Sequence, residues 1–280
     1  MSWRIAIRHR TGYKYAEPVS ASYNEARLTP PAVTGQRPLA AAVEITPPVR
    51  PLRYVDYWGT TVDAFDIHVP HTELVVLATA TVETGLPRPV PPGLSWAELA
   101  GSAVQERFAE FLTASSFVTV EAELTELGRS LRAGSTPRQA GLSAAEWTHQ
   151  ALRYERGATD VYTSSAQARV AGRGVCQDFA HLTLALLRAT GLPARYVSGY
   201  LHPDAEAGIG ETMTGESHAW VEFWAGDWIA ADPTSLAEVS GRHVLLARGR
   251  DYADVRPLSG IYSGPPPEHF GVTVEVTRLG

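Results

Sequence analysis

Cys176 is the only cysteine of the chain, and it stands in Gly172-Arg173-Gly174-Val175-Cys176-Gln177-Asp178-Phe179-Ala180-His181, where a glycine-rich turn runs into a segment of helical spacing. Downstream come Ser217-His218-Ala219-Trp220 and Ala231-Asp232-Pro233-Thr234. In chain order the sequence offers a thiol, an imidazole and a carboxylate. That set suits cysteine nucleophilic catalysis: the thiolate attacks, His218 serves as base and later as proton donor, and Asp232 holds the ring in one tautomer. A helix amino terminus and a neighbouring imidazolium both favour a thiolate, and the Cys176 N–H supplies half of an oxyanion hole. Taken singly, each residue has a plainer reading. Free cysteine is usually a small buried hydrophobe, a histidine is often a hydrogen-bonded structural group, and an aspartate often ends a strand. Their order and placement join them into a candidate triad.

Asp178 and His181 lie one helical turn apart beside the thiol. A metal set of Cys176, Asp178, His181 and His218 is set aside, because residues two apart on a helix diverge and no second cysteine or His-x-x-x-His pair supports it. Asp178 is read as ordering the active-site loop, and His181 as a buried group behind it. No cofactor is expected.

These residues need elements to position them. Helical periodicity from Val175 through Phe179, Leu182, Leu186 and Leu187 ends at Thr190-Gly191-Leu192-Pro193, which places Cys176 in a first turn. Residues 194–201, 219–224 and 228–231 read as strands, the last two joined by a hairpin at Gly226-Asp227. Antiparallel pairing then brings His218 and Asp232 together. Further helices are expected over 95–112, 122–131 and 143–154, the last capped by Ser143 with Glu146 three residues on.

Before these, period-two runs over 4–9, 41–46, 61–69 and 74–82, punctuated by proline and glycine, predict an antiparallel β-sandwich-like region. Trp58-Gly59-Thr60-Thr61 reads as a hairpin turn. The prolines of Pro87-Arg88-Pro89-Val90-Pro91-Pro92-Gly93 fit neither a central strand nor a helix. The expected division is therefore a β-rich domain over 1–86, a linker over 87–93 and an α+β core over 94–280.

Composition narrows the function. At 280 residues the chain has room for about two domains. A net charge of −6 argues against nucleic acid, and no apolar run approaches the ~20 residues of a membrane span. One cysteine excludes an internal disulfide framework and a four-cysteine zinc site. The opening Met1-Ser2-Trp3-Arg4-Ile5-Ala6-Ile7-Arg8 alternates and lacks a secretory pattern, so a reducing cytoplasmic setting is expected. Lys14 is the only lysine, which makes the protein a poor amine donor for its own cross-linking.

Gly-Val-Cys-Gln-Asp-Phe-Ala-His (174–181), Gly-Leu-Pro-Ala-Arg-Tyr-Val-Ser-Gly-Tyr (191–200), Ser-His-Ala-Trp-Val-Glu (217–222) and Trp-Ile-Ala-Ala-Asp-Pro-Thr (228–234) resemble, in order and spacing, the bacterial transglutaminase-like superfamily. Gly249-Arg250-Asp251-Tyr252-Ala253-Asp254-Val255 and His9-Arg10-Thr11-Gly12-Tyr13-Lys14-Tyr15 resemble its bacterial branch, so the likeness spans nearly the whole chain. The resemblance implies a papain-like core of helices on an antiparallel sheet, with Cys176, His218 and Asp232 matching the family triad. Tyr154 and Thr163, in a Tyr-x-x-Gly-x-Thr region, are candidates for a second oxyanion contact. Trp58-Gly59-Thr60 departs from the family where asparagine often follows the glycine, in a turn away from the site.

The expected activity is attack on an amide carbonyl, with a thioester on Cys176 and transfer of the acyl group to water or to an amine. That covers a peptidase, an amidase or a protein-glutamine transglutaminase. The partners implied are a peptide or protein amide, an amine acceptor in the transfer case, and a peptide-ligase-type enzyme if the product is a small peptide. Two alternatives stand beside it: a coenzyme A-dependent acyltransferase using the same triad, and a non-catalytic interaction scaffold.

Overall fold

The computed structural model describes residues 2–85, 93–215 and 217–280. The alternating amino-terminal region forms β1 (Trp3–Val19), β2 (Ala21–Ala26), β3 (Gln36–Thr46), β4 (Leu52–Val55), β5 (Thr61–Ile67) and β6 (His71–Thr84). In β6 every second residue from Leu74 to Thr84 is buried, as a strand with one face on the core demands. Gly59, at φ +80°, makes the turn between β4 and β5.

Next come α1 (Trp96–Leu99), α2 (Ser102–Arg107), α3 (Ala122–Arg132), α4 (Pro137–Ala151), β7 (Arg153–Tyr154), α5 (Ser165–Ala171), β8 (Arg173–Gly174) and α6 (Cys176–Thr190). The chain finishes with β9 (Ala194–Leu201), β10 (Thr212–Gly215), β11 (His218–Trp224), β12 (Trp228–Ala231), β13 (His243–Gly249), α7 (Tyr252–Val255), β14 (Leu258–Ser263) and β15 (His269–Arg278).

Two helix expectations are corrected. The helix over 95–112 is two short helices and a 3-10 turn, because Gly101 takes an extended conformation (ψ 143°) as the N-cap of α2. The helix of the 143–154 region starts six residues earlier, where Thr136 and Gln139 form the capping box and Pro137 occupies the first turn. Ser143 therefore lies inside α4, which stops at Ala151 because Arg153 and Tyr154 pair with β8.

Among the described residues, three larger sheets organise the strands beside the two-stranded β7–β8 pair. Their orders are β10-β15-β1-β6-β3, β14-β2-β5-β4 and β12-β11-β9-β13. The first two share one buried cluster that includes Ile5, Ile7, Val19, Phe65, Ile67, Leu74 and Val76. Strands β10, β14 and β15 come from beyond residue 94, so the carboxy-terminal part of the chain completes both amino-terminal sheets. Residues 87–92 of the expected linker lie outside the described residues.

The third sheet carries the site. Helix α6 packs on β9 and β11 and is enclosed by α3, α4 and α5. Along α6 only Cys176 and Ala189 escape full burial, so the thiol sits where the helix start opens to the surface. Gly199 on β9 pairs with His218 on β11. A Cβ there would lie 2.1 Å from the Val244 carbonyl oxygen and 2.6 Å from the Trp220 ring. That oxygen belongs to the β9–β13 ladder and cannot retreat without breaking it. Gly199→Ala is expected to cost about 3 kcal/mol in a urea melt, at the upper end of overpacking effects; a loss under about 0.5 kcal/mol would show the sheet to be slack.

Candidate active site

The thiol-bearing loop is built by two glycines and one carboxylate. Gly172 adopts the left-handed conformation (φ +63°) that ends α5. At Gly174 any Cβ would stand 2.5 Å from Asp178 Oδ2, so glycine lets the loop close over that side chain. Asp178 Oδ2 accepts the Val175 N–H at 2.7 Å and the Thr159 hydroxyl at 2.6 Å. Burial raises the Asp178 carboxyl above its ordinary range, with these two donors opposing the rise. Asp178 thus ties Thr159 and Val175 to the start of α6. Cys176 is the first helical residue, its N–H free of intrahelical bonding as in any first turn.

The imidazole and carboxylate reach the thiol through the β11–β12 hairpin. Val221 pairs with Ala231, which sets His218 at the start of β11 and Asp232 one residue beyond β12. Gly226, at φ +104°, makes the turn. His218 Nε2 lies 2.9 Å from Asp232 Oδ2, leaving Nδ1 for the thiol side. Cys176 Sγ is 4.0 Å from the carbonyl oxygen of Ser217, the residue before His218. Trp220 lies nearly parallel to the His218 ring, at 6.1 Å and 28°.

Electrostatics favour a charged ring. Burial works against the His218 imidazolium, but hydrogen bonds to Asp232 and Cys176, with the charges of both, outweigh it and hold His218 up to about 10. Asp232 is buried, which pushes its carboxyl up; donation from His218 and Ser235, with the His243 ring close by, prevails and keeps it well below the usual carboxylate range. Thr234 N–H donates to Oδ1 at 2.9 Å and the Ser235 hydroxyl to Oδ2 at 2.8 Å. At neutral pH the pair is imidazolium and carboxylate.

The remaining sequence candidates make the following contacts. Tyr154 is half exposed on β7, its ring 6.3 Å from Phe179. Thr163 accepts the Asp160 N–H at 3.1 Å and donates to the Asp160 carboxylate at 3.2 Å, closing a turn. His181 is fully buried, stacks on Phe117 at 5.2 Å and accepts the Tyr252 N–H through Nε2 at 3.2 Å. Burial pushes it down to about 3, so it is a neutral group pinning α7 to α6. Cys176, Asp178, His181 and His218 are not gathered into one ligand set, since Asp178 turns to its loop and His181 into the core.

Instead His243, which the sequence reading missed, joins His218 and Asp232. Their ligand-capable atoms lie within 4.8 Å of one another. Nothing local in Gly241-Arg242-His243 marks a functional residue, because β13 carries His243 to the site from the far edge of the sheet.

The comparisons agree with this architecture. The family description of the transglutaminase-like superfamily matches residues 125–233, and that of the bacterial transglutaminase-like N-terminal region matches residues 5–83. An uncharacterised protein of Mycobacterium leprae is 46% identical over 277 residues, covering 99% of both chains. Another, from Mycobacterium tuberculosis, is 33% identical over 98% of this chain and 92% of its own. A Pseudomonas aeruginosa protein-glutamine gamma-glutamyltransferase is 34% identical over 104 residues, 33% of this chain and 15% of that protein. Among solved structures, a Cytophaga hutchinsonii protein described as a candidate cysteine protease superposes with a TM-score of 0.79 at 23% identity, over 100% of this chain and 92% of that one. With a matching core, a matching amino-terminal region and full-length relatives, this cysteine-based catalytic fold belongs to the bacterial transglutaminase-like superfamily.

Proposed function

We propose that the protein is a cysteine-dependent acyl-transfer enzyme acting on an amide of a peptide or protein, with Cys176 as nucleophile, His218 as proton carrier and Asp232 as the group that orients and charges the ring. The observation that carries this reading is the 2.9 Å His218–Asp232 contact beside a half-buried thiol at the amino terminus of α6. The Cys176 thiolate adds to the carbonyl carbon, and the Cys176 N–H faces the oxygen that becomes negative. His218 gives its proton to the departing nitrogen, the C–N bond breaks, and an amine leaves with a thioester on Sγ. Neutral His218 then takes a proton from water or from an acceptor amine, which attacks the thioester and releases the thiolate. No cofactor or metal enters these steps.

Both outcomes use one intermediate, and the names of the relatives point to each: one is a glutamyltransferase, the other a candidate protease. We place the reaction in the cytoplasm, where a single unpaired thiol stays reduced. If the product is a small peptide, a peptide-ligase-type enzyme is the natural partner.

The test is intact-mass spectrometry after brief iodoacetamide treatment between about pH 5 and 9, followed by glutamine peptides with and without a primary amine. Rapid addition of one label to wild type below pH 7, absent in Cys176→Ala, is expected. The peptide should then lose ammonia, and the mass of the product reads which acceptor was used. Labelling only near pH 8.5, the range of an ordinary thiol at about 8.5, would reject the acyl-transfer reading and favour a scaffold.

A further inference from the structure

Asp232 has more donors around it than a carboxylate in a simple triad requires, and one of them has no other partner. His243 accepts the Ser240 N–H through Nδ1 at 3.2 Å, which places the ring proton on Nε2. Among the described residues Nε2 is buried without a hydrogen bond, and it lies 3.8 Å from Asp232 Oδ2, the same oxygen that His218 engages at 2.9 Å. A buried N–H left unpaired is costly, and Asp232 is the acceptor it faces. The Trp220 ring meets His243 edge-on at 5.3 Å and 76°. The other charged groups that act on it are His218, Asp232 and Arg242, and its own burial keeps the ring neutral.

The segment that carries His243 is held from outside the core. Gln36 of β3 brackets Leu245, accepting its N–H at 2.7 Å and donating to its carbonyl at 2.9 Å. Thr84 of β6 donates to the Gly241 carbonyl at 2.6 Å. The first amino-terminal sheet therefore grips the chain on both sides of His243, two residues away in each direction.

We infer that His243 is a positioning residue for the catalytic pair: its Nε2–H stands ready for Asp232 and keeps that carboxylate ionised and aimed at His218. The β-rich amino-terminal region, through Gln36 and Thr84, sets the position from which it does so. This rests on the reading of Cys176, His218 and Asp232 given above, in which Asp232 acts through His218. His218 is the shorter-range donor to Asp232 Oδ2, at 2.9 Å, and the His243 N–H adds a second positive dipole beside the same oxygen at 3.8 Å.

Iodoacetamide alkylation of Cys176 as a function of pH tests the inference without a known substrate. In His243→Leu, which fills similar volume without a donor, the acid limb of the profile should move up by about one pH unit and the rate near pH 6 fall roughly tenfold. His243→Gln, whose amide N–H reaches the same place, should restore the wild-type profile. A leucine profile equal to wild type, or glutamine and leucine profiles shifted alike, would overturn the inference, since a merely structural side chain moves melting temperature and not the limb. If the leucine variant does not fold, His243→Asn takes its place, its amide oxygen meeting Ser240 and its length stopping short of Asp232. Asp232→Asn separates the two readings. Should its profile match wild type, the triad itself falls, and His243 with it; should it shift while His243→Leu does not, only His243 is excluded.

Discussion

Cys176→Ala is expected to abolish amide turnover, by about 10⁴-fold or more, while leaving the fold in place. The loss is chemical: alanine leaves the N–H of residue 176 where it was but removes the atom that forms the thioester. The fold should tolerate the change for local reasons. The thiol is only half buried, alanine is the best helix former, and the groups that cap α6 are the Asp178 carboxylate and the Val175 N–H, neither of which the substitution touches. A melting curve within about 1 kcal/mol of wild type is the matching expectation. Substantial turnover in this variant would remove Cys176 from the mechanism, whatever the geometry around it.

His218→Ala should lower turnover nearly as far, and it should also slow iodoacetamide labelling of Cys176 at neutral pH. The second effect follows from the loss of the positive ring beside the sulfur. A third reading of the same variant concerns stability. The folded His218 sits at about 10, above its ordinary 6.5, so its contribution is fully present below 6.5 and is lost as the pH rises towards 10. Wild type should therefore lose stability across that window, at up to about 1.4 kcal/mol per pH unit, and the variant should lack the slope. At neutral pH the variant is expected to be less stable by about 3 kcal/mol, because Asp232 remains buried with Ser235 and Thr234 as donors but without its imidazolium. Urea melts of both proteins at pH 6.5 and 9.5 check the sign, and parallel pH dependences would show that the ring is neutral in the folded protein.

Much of this site is legible in the primary structure because its parts are locally encoded. The start of α6 follows from Gly174 and Asp178, and its end from Gly191 in the left-handed conformation. Strands β9, β11 and β12 alternate or run apolar between clear breaks, and the Gly226 turn fixes which strand ends meet. Where expectation and structure part, a local rule met a competing one. Ser143 and Glu146 satisfy a capping pattern, yet Thr136, Pro137 and Gln139 start the same helix earlier, and a helix already under way has no use for a cap. The periodicity over 95–112 is real, but Gly101 breaks the backbone that would have displayed it.

The sequence by itself determined the chemistry available: one thiol at a helix start, one histidine at the head of a strand and one aspartate at the end of the next, at spacings a hairpin can close. Only the tertiary structure decided which other groups share that chemistry. His243 arrives by way of β13, which pairs with β9 on the side opposite β11, and no pattern in its own neighbourhood records that pairing. Nor does any local signal show that β14 and β15 return to the amino-terminal sheets, or that Gln36 and Thr84 reach across to hold the segment around His243. Helix caps and turns are written within a few residues, where backbone sterics and single hydrogen bonds act. Strand order and contacts between sheets depend on which faces are left to bury once those local elements exist, and that is settled only when the whole chain packs.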